Sequence, residues 1–555
     1  MDVSFGTVWE AFARELPGAT AISEPGRDYS YAEFEERSAR LAAALADAGV
    51  GPGDKVACYL YNGAAYLETV FAAFKIGAAP VNANYRYTGD ELSALLADAD
   101  AAALVFGGEL AANVARAARD LPGLRLLVRV GPARAGEPGE PGEPVPDAPE
   151  LADLLSATGP RPAQPRPGSD QIFMYTGGTT GMPKGVIWQH ADLLRSMGPR
   201  VFEQLGAPGL PATLGEAVEL AVGARARGRA PVTLPVVPLM HATGLFNSIG
   251  VLVAGGRVVT TRGGGLDARH VWDVVAAQRV RTLLVAGNAV CQPLVDELVA
   301  AESAGRPHDL SSLEAIVSSG TALSDRLKRA LHERASVTIT DAIASSEGGP
   351  FAFAVTSSVA DLPARFFPAD TTRVFTQDGR QVVPGSGQSG VLAFSGPIPL
   401  GYYKDAVKTT ATFRTVGGVR YTIPGDLVQV EADGAIRFLG RGSGVINTGG
   451  EKVHPAEVED ALLAHPDVTD AAVVGVSDDT WGERVVAVVA TANGSLTDTE
   501  LQALVRRRLA GYKVPRRIVL VSRLPRTAAG KLEISRVKSI AETTSRRNAW
   551  KPVSQ

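Results

Sequence analysis

A segment rich in hydrogen-bond donors, YTGGTTGMPKGV, spans residues 175–186. Three glycines and three threonines fill positions 176–181, and Lys184 follows three residues after the last glycine. Glycines let a backbone turn its N–H groups toward an anion, threonine hydroxyls add donors, and a lysine adds a full positive charge. The segment therefore predicts a polyphosphate cradle, with a flexible surface turn as the alternative. It is not a Walker A loop, because Pro183 precedes the lysine and Gly185 follows it.

Four further polar residues stand in short motifs along the chain. Glu347 lies in a glycine-flanked SSEGG segment, and Asp426 lies at the end of an apolar run before a hairpin. His241 follows Pro-Leu-Met, and Lys531 follows Gly530 near the C-terminus. Each has an ordinary structural interpretation: an exposed loop carboxylate, a turn-capping aspartate, a hydrogen-bonded structural histidine or a solvated lysine. No His/Cys/Asp cluster has zinc spacing, and no Gly-x-Ser-x-Gly elbow supports a hydrolase.

The cradle resembles the signature loop of the adenylate-forming superfamily, which contains acyl-CoA synthetases, luciferases and nonribosomal adenylation domains. Further signatures follow in family order across nearly the whole chain. They are PLMHATG at 238–244, SSGTALS at 318–324, DAIASSEGG at 341–349, PGDL at 424–427, GRGSGVINTGGEKVHPAEVE at 440–459 and PRTAAGK at 525–531. The phrases NYRYTGDEL, GYYKD, INTGGEKV and YKVPR resemble the branch with fatty and steroid side-chain acyl-CoA synthetases.

This resemblance implies binding roles for residues of the nucleotide site. Residues expected to hold ATP phosphates are Thr176, Gly177, Gly178, Thr179, Thr180 and Lys184. Residues expected along the adenine, the ribose and the phosphates of ATP or AMP are Gly320, Thr321, Ser346, Asp426 and Arg441. Glu347 is expected to ligate the Mg²⁺ that bridges ATP phosphates, since a hard cation favours carboxylate oxygen. Lys531 is expected to be the mobile catalytic lysine that bridges the carboxylate and the α-phosphate.

The resemblance also implies where the acid and coenzyme A bind. His241 is expected to orient the carboxylate and line the substrate pocket. Gly287, Asn288 and Ala344 align with other positions of that pocket. Gly449 and Gly450 are expected beside the pantetheine tunnel, where a side chain would narrow the passage.

These assignments imply an acid–CoA ligase that uses ATP, Mg²⁺ and coenzyme A. A small-molecule carboxylate becomes an acyl-AMP with release of pyrophosphate, and coenzyme A then accepts the acyl group. Departures at Ala344, Gly287 and Asn288 leave the acid undefined. They keep open an ATP-dependent diazotase or N–N ligase, which would activate nitrite and transfer it to an amine. A noncatalytic nucleotide-binding module is disfavoured because Lys184, Glu347, Asp426, Arg441 and Lys531 occur together.

The elements that must position these residues alternate between helical and strand patterns, which predicts an α/β fold with layered, largely parallel sheets. From about residue 420 the pattern changes to that of a small α+β domain. We predict an N-terminal ATP- and substrate-binding domain over 1–440, a hinge at 441–444 and a mobile C-terminal domain over 445–555. Ser443 stands in the hinge where the superfamily commonly carries Asp or Lys. The Gly/Ala/Arg-rich segment 204–230 predicts a solvated helix, with a pocket cover as the alternative.

Composition excludes several other classes of protein. The 555 residues carry 55 basic and 59 acidic side chains, a formal charge of −4, which gives no basic field for nucleic acid. No stretch reaches the roughly 18 uninterrupted apolar residues of a membrane span, so we expect no integral membrane association. Cys58 and Cys291 are too few for a disulfide framework, which favours a cytoplasmic location. The sequence leaves the oligomeric state open, and a homodimer is one option.

Overall fold

The structure is a computed structural model. It describes residues 2–119, 121–132, 148–177, 183–261, 263, 265–320, 323–376, 378–441, 444, 446–453, 455–465, 467–491, 496–525 and 534–543. The GEPGEPGEP segment at 136–144 is too polar to pack and so predicts a surface loop. This segment and the site residues Gly178, Thr179, Thr180, Thr321 and Lys531 lie outside these ranges.

The strands are β1 (Thr20–Glu24), β2 (Arg27–Ser30), β3 (Lys55–Tyr59), β4 (Ala79–Asn82), β5 (Ala101–Gly107), β6 (Leu126–Val130), β7 (Gln171–Gly177), β8 (Pro183–Gln189), β9 (Val232–Pro235), β10 (Arg257–Val259), β11 (Thr282–Val285), β12 (Ala315–Ser319), β13 (Thr338–Ser345), β14 (Gly348–Thr356), β15 (Phe367–Pro368), β16 (Thr372–Phe375), β17 (Ser389–Ser395), β18 (Gly401–Tyr402), β19 (Phe413–Val416), β20 (Val419–Thr422), β21 (Asp426–Val430), β22 (Ile436–Arg441), β23 (Ile446–Thr448), β24 (Glu451–Val453), β25 (Val468–Asp478), β26 (Gly482–Thr491) and β27 (Arg517–Val521).

The α-helices are α1 (Phe5–Glu15), α2 (Tyr31–Asp47), α3 (Ala64–Ile76), α4 (Gly89–Asp98), α5 (Ala111–Ala117), α6 (Leu151–Ala157), α7 (His190–Glu203), α8 (Leu214–Ala226), α9 (Ala242–Leu252), α10 (Ala268–Ala277), α11 (Gly287–Ser303), α12 (Asp325–His332), α13 (Ala406–Thr412), α14 (Pro455–Leu463), α15 (Asp498–Arg508) and α16 (Ile534–Thr543).

Two large sheets form the centre of the N-terminal domain. Within the described ranges, one has nine strands in the order β15-β14-β13-β12-β11-β9-β10-β1-β2, and the other has seven in the order β18-β8-β7-β4-β3-β5-β6. Their central strands pair in parallel, as the alternating helix and strand patterns predict. A largely antiparallel sheet of β16, β17 and β19–β22 follows toward the C-terminal end of the domain.

The main core lies between the two large sheets. Helices α1–α3 supply much of it, including the fully buried Trp9, Phe34 and Phe71, whose rings contact one another with centroids 4.8–5.7 Å apart. The same apolar cluster contains Val258 of one large sheet and Ile172 of the other. Because protein cores are close-packed, this cluster fixes one sheet against the other and so sets the geometry of the cleft that they border.

Local sequence signals agree with the observed elements. Thr88 and Glu91 form a complete capping box at the start of α4, which satisfies backbone N–H groups that the first turn leaves unpaired. Gly434 has φ +89° in the turn that joins β21 to β22, as the Asp-Gly hairpin signal predicts. Segment 204–230 does contain a helix, α8, but Ala217, Ala221 and Ala224 on one face are buried, so the helix is not fully solvated.

The C-terminal domain is built on a smaller sheet. Among its described residues the strand order is β24-β23-β26-β25, with β27 parallel to β26. Both faces of this sheet are covered by apolar clusters, one with α14 and α15 and the other with α16. The predicted α/β fold with a large N-terminal and a smaller C-terminal domain is confirmed. Of the proposed hinge, Gly442 and Ser443 lie outside the described residues. Within the part of the chain that the structure describes, no helix is long and apolar enough to span a membrane.

Candidate active site

A cavity of about 2050 Å³ opens between the two domains. Its walls include residues from six of the sequence motifs, brought together from segments more than 250 residues apart. Those motif residues include Thr176, His241, Gly320, Ala344, Ser346, Asp426, Gly449 and Gly450. The fold therefore gathers most of the described candidate residues around one space.

The predicted phosphate cradle joins two antiparallel strands. Thr176 at the end of β7 pairs with Lys184 at the start of β8, so residues 178–182 must connect two neighbouring strand ends. Thr176 and Pro183 line the cavity. The Lys184 ammonium lies 3.5 Å from a carboxylate oxygen of Asp405, and both side chains are about one-fifth exposed. Lys184 thus lies at the start of β8 in an ion pair with Asp405, and it is not among the described residues that line the cavity.

The SSEGG motif forms the turn between β13 and β14. The indole N–H of Trp188 donates to the Ser346 carbonyl at 2.9 Å, which ties this turn to the strand that follows the cradle. Glu347 is 6% exposed and accepts a hydrogen bond from the Tyr402 hydroxyl at 2.8 Å. It lies in the turn itself and is not among the described cavity-lining residues. Gly348 has φ +144°, and a Cβ there would lie 2.4 Å from Thr422, so only glycine fits.

Two buried acidic residues, Asp426 and Asp341, line the cavity. Asp426 is 4% exposed and lines it; its backbone pairs with Arg441 across β21 and β22, but the Arg441 side chain lies outside the described part. Asp341 is buried beside Lys328, with 3.1 Å between the charged atoms. Burial raises the pKa of Asp341 above its usual value, although the lysine opposes the shift. No local sequence pattern predicts this pair, because the two residues lie 13 positions apart.

A contact between the domains lies at His241. Its Nε2 is 3.3 Å from an oxygen of Glu451, and Arg86 donates to the same oxygen at 3.2 Å. Asn84 donates to the other oxygen at 3.5 Å. Burial alone would raise the pKa of Glu451, but the positive charges of His241, Arg86 and Lys513 outweigh it and hold the pKa below its ordinary value. Glu451 is 6% exposed, so the small domain places a buried carboxylate against three groups of the large one.

Glu451 follows the two glycines predicted at the tunnel. Gly449 and Gly450 form the turn between β23 and β24 with φ +58° and +84°, and both line the cavity. A Cβ on Gly450 would lie 3.7 Å from the Cβ of Ala286 in the large domain. The turn thus approaches the large domain closely, in a conformation that side chains other than glycine rarely adopt.

The predicted pocket residues near α11 lie elsewhere than expected. Asn288 accepts a hydrogen bond from the Ser324 backbone N–H at 2.8 Å and donates to the Asp479 carbonyl of the small domain at 3.2 Å. The Gly287 backbone N–H donates to the Ser318 hydroxyl at 3.2 Å. Neither is among the described residues that line the cavity, whereas Ala286 and Val290 are. The amide of Asn288 is therefore used at the domain interface, and the expectation that it lines the acyl pocket is corrected.

Comparison with known proteins defines the class. The family model for AMP-binding enzymes matches residues 9–403, and the model for the C-terminal domain of AMP-binding enzymes matches residues 457–531. A 3-oxocholest-4-en-26-oate–CoA ligase of Rhodococcus rhodochrous is 39% identical over 93% of this chain and 92% of its own length. A medium/long-chain-fatty-acid–CoA and 3-oxocholest-4-en-26-oate–CoA ligase of Mycolicibacterium smegmatis is also 39% identical, over 95% and 94%. The amide bond synthetase McbA of Marinactinospora thermotolerans has a structure that matches with a TM-score of 0.76 at 25% identity, over 96% of this chain and 99% of its own.

The chain belongs to the AMP-binding enzyme family. It is an acid–CoA ligase, which activates a carboxylic acid as an acyl-AMP with ATP and Mg²⁺ and forms a thioester with coenzyme A as co-substrate. The diazotase or N–N ligase alternative finds no support among these relatives.

Proposed function

We propose that the acid is a long or bulky hydrophobic carboxylate, of the size of a medium- to long-chain fatty acid or a steroid side-chain acid. The observation that carries this proposal is the apolar part of the cavity wall. It includes Trp188, Leu193, Met197, Val201, Phe246 and Phe353. A small acid would leave most of this surface uncovered, and apolar surface binds in proportion to the area that it removes from water. The two relatives at 39% identity are named for such acids.

Helix α7 gives a scale for the substrate. Its first turn follows Trp188, which is hydrogen-bonded to Ser346, and Arg200 lies ten residues after His190. At about 1.5 Å per residue, the cavity wall formed by α7 therefore extends roughly 15 Å from its first turn, the end at which the carboxylate is proposed to react. An acid with its carboxylate near His241 and Ser346 could lie along this helix.

In the proposed adenylation step the protein aligns charged groups and neutralises them. The cradle with Lys184 holds the phosphates, Asp426 accepts the ribose hydroxyls, and Gly320 with Thr321 lies against the adenine. Glu347 is the one candidate Mg²⁺ ligand, and its buried carboxylate in the SSEGG turn fits a hard cation that needs few protein ligands. Bound Mg²⁺ would neutralise phosphate charge. Lys531 supplies the cation between the carboxylate and the α-phosphate.

In the proposed thioester step the small domain is docked as observed. The turn at Gly449 and Gly450 then borders the pantetheine passage, and Glu451 holds the turn against His241 and Arg86. Lys513 adds a second link, because it donates to Glu91 of the large domain and Glu457 of its own domain, both at 2.8 Å. Rotation about residues 441–444 would break these contacts and bring Lys531 to the site instead.

A substrate panel followed by pyrophosphate release tests the proposed acid. Dodecanoate, hexadecanoate and a steroid side-chain acid should be turned over better than acetate or benzoate. Met197→Trp should shift the preference toward shorter acids, because the indole would fill the channel. Arg195→Trp is the matched control, since Arg195 is on the same helix but exposed and paired with Asp192. Turnover confined to acetate or small aromatic acids would contradict the proposal.

The cellular location and the assembly are separate proposals. We expect a cytoplasmic enzyme, for which the two buried, free cysteines are the supporting observation. Cell fractionation tests the location. Light scattering of the purified chain tests the homodimer, for which the described surface supplies no specific argument.

A further inference from the structure

Arg200 is a positively charged side chain in the cavity wall, on the same helix as the apolar Leu193, Met197 and Val201. Its guanidinium carbon lies 3.3 Å from the centre of the Phe353 ring, and both residues line the cavity. Stacking on an aromatic face holds the guanidinium plane in one orientation. Arg200 is therefore presented to the cavity as an ordered group.

The hydrogen-bonding capacity of this guanidinium is unused within the described part of the chain. The group has five N–H donors, yet the described residues include no hydrogen-bond acceptor or ion-pair partner for it. Glu203, one turn further on, adds a negative charge at longer range and also lines the cavity. The other arginine of the helix differs, because Arg195 donates to Asp192 at 2.7 Å.

Much of the Arg200 side chain is exposed, and it is exposed where it lines the wide cavity. Burial among the surrounding residues still lowers its pKa to about 10, so the group is cationic at neutral pH. The alternative is that Arg200 lies at the rim of the cavity, is hydrogen-bonded only to water and has no role in substrate binding. Its stack on Phe353 and its place roughly 15 Å along α7 from the reaction end favour contact with the substrate.

We propose that Arg200 is a specificity-determining residue that donates hydrogen bonds to a neutral oxygen, a ketone or a hydroxyl, at the end of the acid distal to its carboxylate. This inference rests on the proposed function and narrows its substrate class. We propose a neutral oxygen and not a second carboxylate, because the negative charge of Glu203 at longer range offsets part of the attraction of Arg200 for an anion. A ketone accepts from the guanidinium, and a hydroxyl could also donate to Glu203.

The test compares dodecanoate with the same chain carrying a ketone next to its terminal methyl group. For the wild-type enzyme the oxo acid should have the lower KM. Arg200→Met should raise the KM of the oxo acid roughly 10- to 100-fold, the size expected for hydrogen bonding to a charged group. It should leave the KM of dodecanoate unchanged or lower, and kcat should be unchanged for both acids. Arg195→Met on the same helix should change neither.

The outcomes separate this inference from the function on which it rests. An equal loss for both acids, or no change for either, would overturn the role of Arg200 while leaving the proposed acid class intact. Failure of the wild-type enzyme to turn over either acid, and a steroid side-chain acid as well, would overturn both proposals. Thermal unfolding of Arg200→Met should match that of the wild type, and Arg200→Lys, which keeps the charge but loses the planar donors, should give an intermediate KM for the oxo acid.

Discussion

Replacing Glu451 with glutamine should separate the two half-reactions. The change preserves the size of the side chain but removes the charge that His241 and Arg86 of the large domain share. The contact joins the domains only when they are docked as observed. Its loss should therefore destabilise the docked arrangement and leave the rotated arrangement, proposed for adenylation, unaffected. We expect slower thioester formation from a supplied acyl-AMP and coenzyme A, with adenylation close to normal.

The magnitude follows from burial on the two sides of the contact. Truncating one partner of a buried, hydrogen-bonded charge pair costs about 2–5 kcal/mol. Here the Glu451 side chain is 7% exposed, but those of Arg86 and His241 are 42% and 37% exposed, so solvent screens part of the loss. We therefore expect about 1–2 kcal/mol, equivalent to roughly a 5- to 30-fold decrease in the docked population and in the thioester rate.

The assay follows each half-reaction separately by rapid quench. Glu542→Gln is the control, since Glu542 is an exposed glutamate of α16 in the same domain. Equal losses in both half-reactions, or an unchanged thioester rate, would refute the assignment of this contact to the thioester step. Lowering the pH should have the same effect as Glu451→Gln, because protonation also removes the negative charge of this side chain. The pKa of Glu451 is held below 4.5 in the docked state, so its stabilising contribution is present above pH 4.5 and is lost as the pH falls through the lowered pKa.

Three further substitutions test individual roles. Gly450→Leu should block thioester formation and spare adenylation, because the side chain would meet Ala286 in a strained turn. Gly434→Leu, at a similar φ with open space around it, is the control for backbone strain. Normal thioester synthesis by Gly450→Leu would disprove the tunnel assignment. Lys531→Ala should slow adenylation by about 10²- to 10³-fold while supplied acyl-AMP still reacts with coenzyme A, and rapid-quench measurement of an unchanged acyl-AMP rate would exclude the lysine. Glu347→Gln should slow Mg²⁺-dependent pyrophosphate release with little change in thermal unfolding. A large drop in stability with normal activity would instead favour a structural role.

Sequence patterns predicted those features that depend on neighbouring residues. The capping box at Thr88 and the hairpin at Gly434 are local, so a few residues determine them. The ordered motifs similarly identified the family, because each keeps its own local spacing. These signals also predicted the α/β fold and the two domains.

Contacts between distant segments could not be predicted in this way. Glu451 meets His241 across 210 positions and Arg86 across 365, and nothing near any of the three residues signals the others. Asn288 was instead predicted to contact the substrate, because it aligns with a pocket position. That alignment contains no information about the Asp479 carbonyl of the other domain, to which its amide donates. Arg200 carried no motif, and only its stack on Phe353 draws attention to it.

The central claim is that this chain makes acyl-CoA thioesters through acyl-AMP. The most direct measurement is one pyrophosphate assay, run with a panel of hydrophobic carboxylates and with nitrite plus an aminoarene, each with and without coenzyme A. We predict pyrophosphate release with the carboxylates, one thioester per pyrophosphate once coenzyme A is present, and no turnover with nitrite. Turnover with nitrite and amine in the absence of coenzyme A, together with none across the carboxylates, would contradict the claim.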